Sequence, residues 1–191
     1  MLPAGSRVAC DPRLHSLHWF RTAQKTLADA KVELVADTDN PVDCCWADRP
    51  AVVARPALLL GDNLTGESSL SKRQRIAAML VERGCDAALL FAPDSISWLL
   101  NIRGMDMPQL PVVQSLAMLA ADGSITLLID ARRLPQGFPE HAGEGVRVVP
   151  EEHVVEVFAA YSGLRVLADA GAASAWVQLS LESAGATLVD A

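Results

Sequence analysis

The two ends of the chain carry the same short pattern, and this repeat constrains the fold more than any other feature. Residues 7–19 (RVACDPRLHSLHW) align with residues 165–177 (RVLADAGAASAWV), and residues 27–35 (LADAKVELV) align with residues 181–189 (LESAGATLV). The offset falls from 158 to 154 residues between the two matches. That difference is about one helical turn, so the intervening helix can lengthen without losing its buried face. We interpret the repeat as one strand–helix–strand unit present twice, the alternative being chance similarity of two amphipathic units.

Short apolar runs alternate along the chain with stretches in which apolar residues recur at helical spacing. The pattern predicts strands at 7–10, 32–35, 86–91, 146–149, 165–168 and 187–189, and helices at 15–30, 71–83, 151–161 and 173–184. Two further strands, 112–120 and 124–129, flank an Ala-Asp-Gly turn and are predicted to form an antiparallel hairpin. The predicted class is α/β, a mixed sheet flanked by helices, preceded by a partial copy of the same fold.

Two of the predicted segments carry expectations for individual residues. Ser71 is expected to cap the helix that begins beside it, with Ile76, Met79 and Leu80 on its apolar face. Further upstream, the apolar environment of Trp46 predicts that Cys44 and its neighbour Cys45 are small buried residues without redox activity.

The repeat also predicts a domain organisation. The second copy closes a domain of roughly 120 residues, within the usual size range, whereas the first copy has almost nothing before it. We therefore expect residues 1–50 to be the C-terminal part of a first domain, 51–68 a Pro- and Gly-containing linker, and 69–191 a whole second domain. The unpaired sheet edge of residues 1–50 should seek a partner, which favours a homo-oligomer, the alternative being a non-native packing of these residues.

Composition excludes several classes of protein. The chain has 191 residues, 51% of them hydrophobic and 20% charged, which is typical of a globular protein. The net charge of -7 and the absence of a basic stripe disfavour a nucleic-acid partner. No apolar run is long enough to span a membrane, no signal sequence is evident, and the four cysteines lack regular spacing. A cytoplasmic location without a membrane or nucleic-acid partner is therefore expected.

Candidate metal and anion sites are weak. His15 and His18 lie three residues apart near Cys10, but no second ligand pair accompanies them, so solvated helix residues are favoured. An acidic group lacks the glycine and distal glutamate of a calcium loop and is better interpreted as a solvated turn; it comprises Asp37, Asp39, Asp43 and Asp48. Arg132 and Arg133 follow a strand and could bind an anion, although covering a domain edge is favoured. No catalytic or metal-binding residue is predicted in this chain.

The segment Ala92–Asp106 carries the strongest recognition signal. Pro93 ends a strand, Asp94 is expected to cap a short helix, and the chain then enters a loop stiffened by prolines. Arg103 and Asp106 lie in this loop. Two interpretations stay open: the pair faces a substrate or a partner, or it is a structural Arg–Asp pair that pins the loop.

Four segments resemble the front part of Xaa-Pro aminopeptidases (aminopeptidase P), in the creatinase/prolidase superfamily. The matching residues are 72–80 (KRQRIAAML), 86–104 (DAALLFAPDSISWLLNIRG), 106–113 (DMPQLPVV) and 121–134 (ADGSITLLIDARRL). Residues 11–21 and 39–50 look like the end of the first domain of that family and its exit segment. The resemblance covers nearly the whole chain in the order of the family.

The resemblance implies a three-domain parent: two creatinase-type domains followed by a pita-bread catalytic domain. That last domain would hold two divalent metals, manganese or zinc, on two Asp, one His and two Glu ligands, which are not matched in this chain. The chain alone is therefore expected to be inactive, and to shield the active-site entrance and support subunit association in the parent. Its partners would be the catalytic domain of the same polypeptide and the peptide substrate, with Arg103 and Asp106 at the substrate rim or against a neighbouring domain.

One position departs from the family. Gln109-Leu110 stands where the family commonly has a His-Thr pair, so no catalytic role is transferred to the loop tip. The alternative function is a stand-alone, non-catalytic module of peptidase-like fold that binds peptides or proteins.

Overall fold

The structure is a computed structural model that describes residues 2–191. In chain order, its strands are β1 (Arg7–Cys10), β2 (Glu33–Ala36), β3 (Leu58–Leu59), β4 (Ala87–Leu90), β5 (Ile102–Arg103), β6 (Leu116–Ala120), β7 (Ile125–Leu128), β8 (Val146–Val149), β9 (Arg165–Ala168) and β10 (Thr187–Asp190). Its helices are α1 (Leu17–Asp29), α2 (Pro41–Cys45), α3 (Asp62–Thr65), α4 (Ser69–Glu82), α5 (Pro93–Leu99), α6 (Phe138–Ala142), α7 (Val154–Ala159) and α8 (Ala175–Ser183). Every helix within these residues is too short or too polar to cross a membrane.

Six strands form a mixed sheet in the order β10-β9-β4-β6-β7-β8. The pairs β10/β9, β9/β4 and β7/β8 are parallel, and β4/β6 and β6/β7 are antiparallel. The predicted hairpin is confirmed as β6 and β7, with Gly123 at a φ of 85° in the turn, where a side chain would be strained. The predicted α/β class with a mixed sheet is therefore confirmed.

The chain divides into two compact units. Unit 1 comprises residues up to Val52 together with Asp169–Ser180, and unit 2 comprises Val53–Ala168 and Leu181–Ala191. The predicted domain boundaries stay a prediction.

Unit 2 contains the larger apolar core. Strands β4, β6 and β7 have buried residues on both faces, as expected for central strands. The main cluster joins them to helices and to the β3–β5 pair; its fully buried members include Leu100, Ile102, Leu119, Leu127 and Ile129. The helices α4, α5 and α6 contribute Leu80, Ile96 and Phe138 to the same cluster.

Helix α4 differs from its sequence prediction in two ways. Its N-cap is Ser68, whose hydroxyl accepts a hydrogen bond from the Ser71 amide, so the predicted cap at Ser71 is wrong by three residues. Met79 is 46% exposed and not part of the buried face.

The buried face of α4 carries Arg73 instead. Arg73 is 1% exposed, and its guanidinium donates hydrogen bonds to the carbonyls of Gly123, Ala142 and Glu144. A buried guanidinium is tolerated there because three carbonyl acceptors replace its water shell. The side chain thereby fixes the β6–β7 turn and the end of α6.

Unit 1 is built on the parallel pair β1/β2 and helix α1. Ser16 caps α1 by accepting from the Trp19 amide, and Leu17 and Phe20 bury the face of the helix. The prediction that Cys44 and Cys45 are buried is wrong: both are exposed, because α2 has no buried residue.

The strand–helix–strand repeat is confirmed in its register. Arg7 pairs with Glu33 in the first copy, and Arg165 pairs with Thr187 in the second, which are the positions that the sequence alignment equates. Within unit 1, the turn before α1 and the turn before α8 exchange backbone hydrogen bonds reciprocally.

Each of these hydrogen bonds has a counterpart. The Leu17 amide donates to the Ala173 carbonyl (3.4 Å), and the Ala175 amide donates to the His15 carbonyl (2.7 Å). A second pair joins His18 N to Ala170 O at 2.8 Å and Trp176 N to Pro12 O at 3.0 Å. In each pair, the alignment equates the donor of one bond with the donor of the other, so the two turns are related by an approximate two-fold axis.

Candidate functional site

Helix α5 positions the segment that carried the strongest sequence signal. The predicted cap at Asp94 is wrong: the N-cap is Ala92, which has no side-chain acceptor, and Pro93 occupies the first helical position, where its missing N–H costs nothing. The Asp94 carboxylate accepts from the Ser95 amide (2.9 Å) and places negative charge in the first turn, where it favours the helix.

The C-terminal end of α5 is held by two side chains from other helices. Lys72 on α4 donates to the Trp98 carbonyl (2.9 Å) and to the Asn101 side-chain oxygen (2.6 Å). The Nε2 atom of His141 lies 3.1 Å from the Leu100 carbonyl and 3.1 Å from the Asn101 carbonyl, so it carries the proton. These contacts satisfy carbonyls that a helix end otherwise leaves without partners.

Neighbouring groups determine the conformation of Asn101 and the pKa of Lys72. Asn101 has a φ of 54°, a left-handed conformation that asparagine tolerates after a helix, and its amide donates to the Glu67 carbonyl (2.8 Å). Burial lowers the pKa of the Lys72 ammonium, although Glu67 opposes this effect. The ammonium also lies 4.4 Å from the ring centroid of Trp98, a favourable cation–π distance.

Arg103 belongs to this framework. It ends strand β5, which pairs with β3, and its guanidinium donates to the carbonyls of Ile102 (2.8 Å) and Ser97 (3.3 Å). The residue is partly buried. Arg103 therefore ties β5 back to helix α5.

Asp106 is held by a different arginine. Its side chain is 4% exposed and forms an ion pair with Arg133, whose side chain is 6% exposed, and it also accepts from the Gln114 amide (2.8 Å). Arg103 and Asp106 are thus both engaged, but not with each other. Arg132, the neighbour of Arg133, is exposed and pairs with Asp130 (2.7 Å).

The two ends of the 104–111 loop are fastened together at its base. The Val113 amide donates to the Ser97 hydroxyl (3.1 Å). A Cβ on Gly104 would lie 2.5 Å from the Val112 carbonyl oxygen and 2.7 Å from a methyl group of Val113. Glycine is therefore required at this close approach.

The tip of the 104–111 loop is a tight turn. The Leu110 amide donates to the Met107 carbonyl (3.3 Å), with Pro108 and Gln109 between them. Gln109 has a φ of 66°, and proline followed by a residue at positive φ defines a type II turn. Glutamine is unfavourable at that position, where glycine or asparagine is preferred.

Large apolar side chains are exposed on the 104–111 loop. Met105 is 70% exposed, Leu110 is 50% exposed and Met107 is 36% exposed. A loop with a fixed base and an exposed apolar tip is suited to binding and positioning a partner. Within residues 2–191, no group of three or more His, Cys, Asp or Glu side chains is arranged to hold a metal ion.

Sequence reasoning did not assign to this site three residues that build it. Lys72 on α4 and His141 on α6 hold the C-terminal end of α5, and Arg133, in the turn after β7, pairs with Asp106 in the loop. Their positions depend on tertiary packing, and only Arg133 carried a signal, as a charged residue directly after a strand.

Comparison with known proteins agrees with this architecture. The Creatinase/Prolidase N-terminal domain family model matches residues 48–191. Xaa-Pro aminopeptidase ApepP of Drosophila melanogaster is 32% identical over 144 residues, which cover 75% of this chain and 23% of that protein. Xaa-Pro aminopeptidase app-1 of Caenorhabditis elegans is 32% identical over 140 residues, covering 73% and 23% of the two chains.

One solved structure is similar over nearly the whole chain. The X-prolyl aminopeptidase from Caenorhabditis elegans, described as a cytosolic enzyme with a di-nuclear active site, superposes with a TM-score of 0.89 at 25% identity, covering 99% of this chain and 32% of that one. The chain thus spans about a quarter of the Drosophila and Caenorhabditis aminopeptidases that it matches in sequence. It belongs to the creatinase/prolidase N-terminal domain family and corresponds to the N-terminal region of Xaa-Pro aminopeptidases.

Proposed function

We propose that the chain is the non-catalytic N-terminal portion of a metal-dependent Xaa-Pro aminopeptidase, a hydrolase that releases an N-terminal residue preceding proline. The support is its membership of the N-terminal domain family and its short span within relatives that are Xaa-Pro aminopeptidases. In this proposal the chain shields the active-site entrance and supports the association of subunits.

The observation that carries the proposed role is the exposed apolar tip of the 104–111 loop on a rigid base. Buried charges fasten the loop from beneath, through Asp106 and Arg133. Met105, Met107 and Leu110 are left exposed at the tip. Exposed apolar residues on a fixed loop are suited to contact a neighbouring domain or the rim of a substrate entrance.

The proposal places the chemistry outside these residues. Two divalent metals, manganese or zinc, would be held by a catalytic domain of the same polypeptide, as the di-nuclear centre of the Caenorhabditis elegans enzyme suggests by analogy. Such a metal pair activates water and stabilises the charge that develops during attack on the peptide bond. A cytoplasmic location and a homo-oligomeric state are part of the same proposal.

The first test is the transcript beyond the codon for Ala191. A reading frame that continues into a segment with the two Asp, one His and two Glu ligands supports the proposal. A stop codon at that point would overturn it and favour the stand-alone binding module. The matching assay incubates the purified 191-residue chain with Mn²⁺ or Zn²⁺ and an Xaa-Pro peptide. No turnover is expected, and metal-dependent turnover by this chain would contradict the proposal.

The second test addresses the loop in the longer protein. Leu110→Asp should lower kcat/KM for Xaa-Pro peptides at least several-fold, because a charge at the tip opposes an apolar contact. Leu64→Asp, at a 73% exposed position in α3, is the matched control and should leave kcat/KM unchanged. Equal effects of the two variants on kcat/KM would contradict a role of the loop in the proposed function.

A further inference from the structure

A small cleft lies on unit 2, away from the 104–111 loop in sequence, between strands β7 and β8 and helix α7. Its volume is about 270 Å³, below the usual range for drug-sized ligands. Its polar lining contains Thr126, Arg147 and Tyr161, together with the ionisable side chains of Glu156 and His153. We call it the Tyr161 cleft.

The pairing of β7 with β8 places two of the polar lining residues side by side. Thr126 on β7 and Arg147 on β8 are direct partners in the parallel pair, so their side chains project on the same side of the sheet. Among the described residues, the Arg147 guanidinium has no hydrogen-bond or ion-pair partner. It therefore offers a complete set of donors to an anion in the cleft.

Tyr161 adds a donor beside this guanidinium. The phenol is partly buried, and burial raises its pKa, while the neighbouring Thr126 hydroxyl and the charge of Arg147 oppose that rise. A phenol hydroxyl can donate a hydrogen bond to a ligand in the cleft. Arg147 and Tyr161 together provide the charge and the hydrogen-bond donors that suit a carboxylate.

The rest of the lining contains an acidic side chain and several apolar side chains. The Glu156 carboxylate is largely exposed and lies 3.8 Å from the Nδ1 atom of His153. Val149, Val157 and Ala160 form the apolar part of the lining. A ligand that fills this space would carry a carboxylate, a positive group and a short apolar chain.

We propose that the Tyr161 cleft binds a free apolar α-amino acid as its zwitterion. The ligand carboxylate accepts hydrogen bonds from Arg147 and Tyr161, its ammonium faces Glu156, and its side chain packs against Val149 and Val157. This inference stands apart from the proposed function, because it concerns binding to this chain and needs neither a catalytic domain nor a metal.

Ligand binding to the cleft can be followed through a residue type that occurs once in the chain. Tyr161 is the single tyrosine, so tyrosine labelled at the ring ε carbons yields one NMR signal that reports on the cleft alone. Titration of the whole chain with L-leucine should shift this signal saturably. Acetate, which has only the carboxylate, and ethylamine, which has only the amine, should each bind at least fivefold more weakly.

Two variants and a control decide the assignment. Arg147→Gln and Glu156→Gln should each weaken L-leucine binding at least fivefold. Arg132→Gln removes the same charge from an exposed site and should leave the affinity unchanged. A linear, non-saturating shift would overturn the proposal, as would equal binding of acetate and L-leucine or unchanged affinity in Arg147→Gln.

Discussion

Ser16 and Ser174 face each other as an antiparallel bridge pair, and the hydroxyl of each accepts a hydrogen bond at the start of its own helix. The sequence alignment equates these two serines, so the approximate two-fold axis that relates the two turns passes between them. The flanking bonds from Leu17 to Ala173 and from Ala175 to His15 make this a non-hydrogen-bonded pair, in which Cα atoms lie about 4.5 Å apart.

A double variant, Ser16→Cys with Ser174→Cys, should therefore form a disulfide within one chain, because that separation lies in the range disulfides need. The oxidised form should be more stable than the reduced form of the same variant by about 2 kcal/mol or more. Peptide mapping by mass spectrometry locates the bond, and thermal unfolding with and without reductant gives the difference.

The exposed native cysteines must be removed for this experiment. Cys44 and Cys45 are exposed, so both should be replaced by serine in every variant. Ser16→Cys alone is the control and should remain a free thiol. Linkage between two molecules, or no linkage under oxidant, would contradict the two-fold arrangement of the turns.

The buried pair Asp106–Arg133 predicts a non-additive pattern of stability. Asp106→Asn leaves the Arg133 charge buried without its counter-ion and should lower the free energy of unfolding by about 3 kcal/mol. Adding Arg133→Met should recover part of this loss, because the unpaired charge is then gone. Urea unfolding of the two single variants and the double variant measures the coupling.

Arg132→Gln is the control for this series. Its partner Asp130 lies at the surface and solvent screens the pair, so little change is expected. If Asp106→Asn were as mild as Arg132→Gln, the loop would not depend on the buried pair.

Gly104→Ala tests the close approach at the base of the loop. The added methyl group would overlap the Val112 carbonyl and should destabilise the chain by about 1–3 kcal/mol. Gly171→Ala is a suitable comparison, because there the nearest atom is a side-chain oxygen of Asp169 at 3.2 Å. Equal melting temperatures for the two variants would show that the base of the loop is adaptable.

Asp11 predicts a pH dependence for unit 1. The Arg13 guanidinium holds the pKa of the Asp11 carboxyl well below its usual range, aided by the side chain of Asn40. A carboxyl whose pKa is lower in the folded chain stabilises it above about pH 4, and this contribution is lost as the pH falls further. Stability should therefore decline between about pH 4 and pH 2.

Asp11→Asn should flatten that decline, as measured by chemical unfolding across the pH range. Asp29→Asn, at an exposed position ending α1, should retain it. A decline of the same size in the Asp11→Asn variant would assign the acid sensitivity to other carboxyls.

Much of the architecture was predictable because it rests on local pattern. The β6–β7 hairpin followed from its Asp-Gly turn, and the paired registers of β1/β2 and β9/β10 followed from the repeat. The errors occurred where alternatives were chemically equivalent. Ser68 and Ser71 are both good helix caps, and only the helix geometry selects Ser68.

The partners within the candidate site were less predictable. Arg103 was the nearest arginine in sequence to Asp106, yet Arg133 forms the pair because the turn after β7 reaches beneath the loop. Likewise, Arg73 occupies the buried face of α4 because three carbonyls converge on it. Such contacts join segments far apart in sequence, where hydrophobic periodicity carries no information.

The hydrogen bonds between the turns before α1 and α8 can form only late in the synthesis of these residues. His15 and His18 leave the ribosome well before Ala170–Ala175, so their hydrogen bonds to that turn must wait until it has been made. All of the strands from β3 to β9 are made in the interval. The strand–helix–strand unit before Val52 is thus among the last segments to reach its final contacts, and its exposed strand edges depend meanwhile on chaperones or on rapid folding of the later strands.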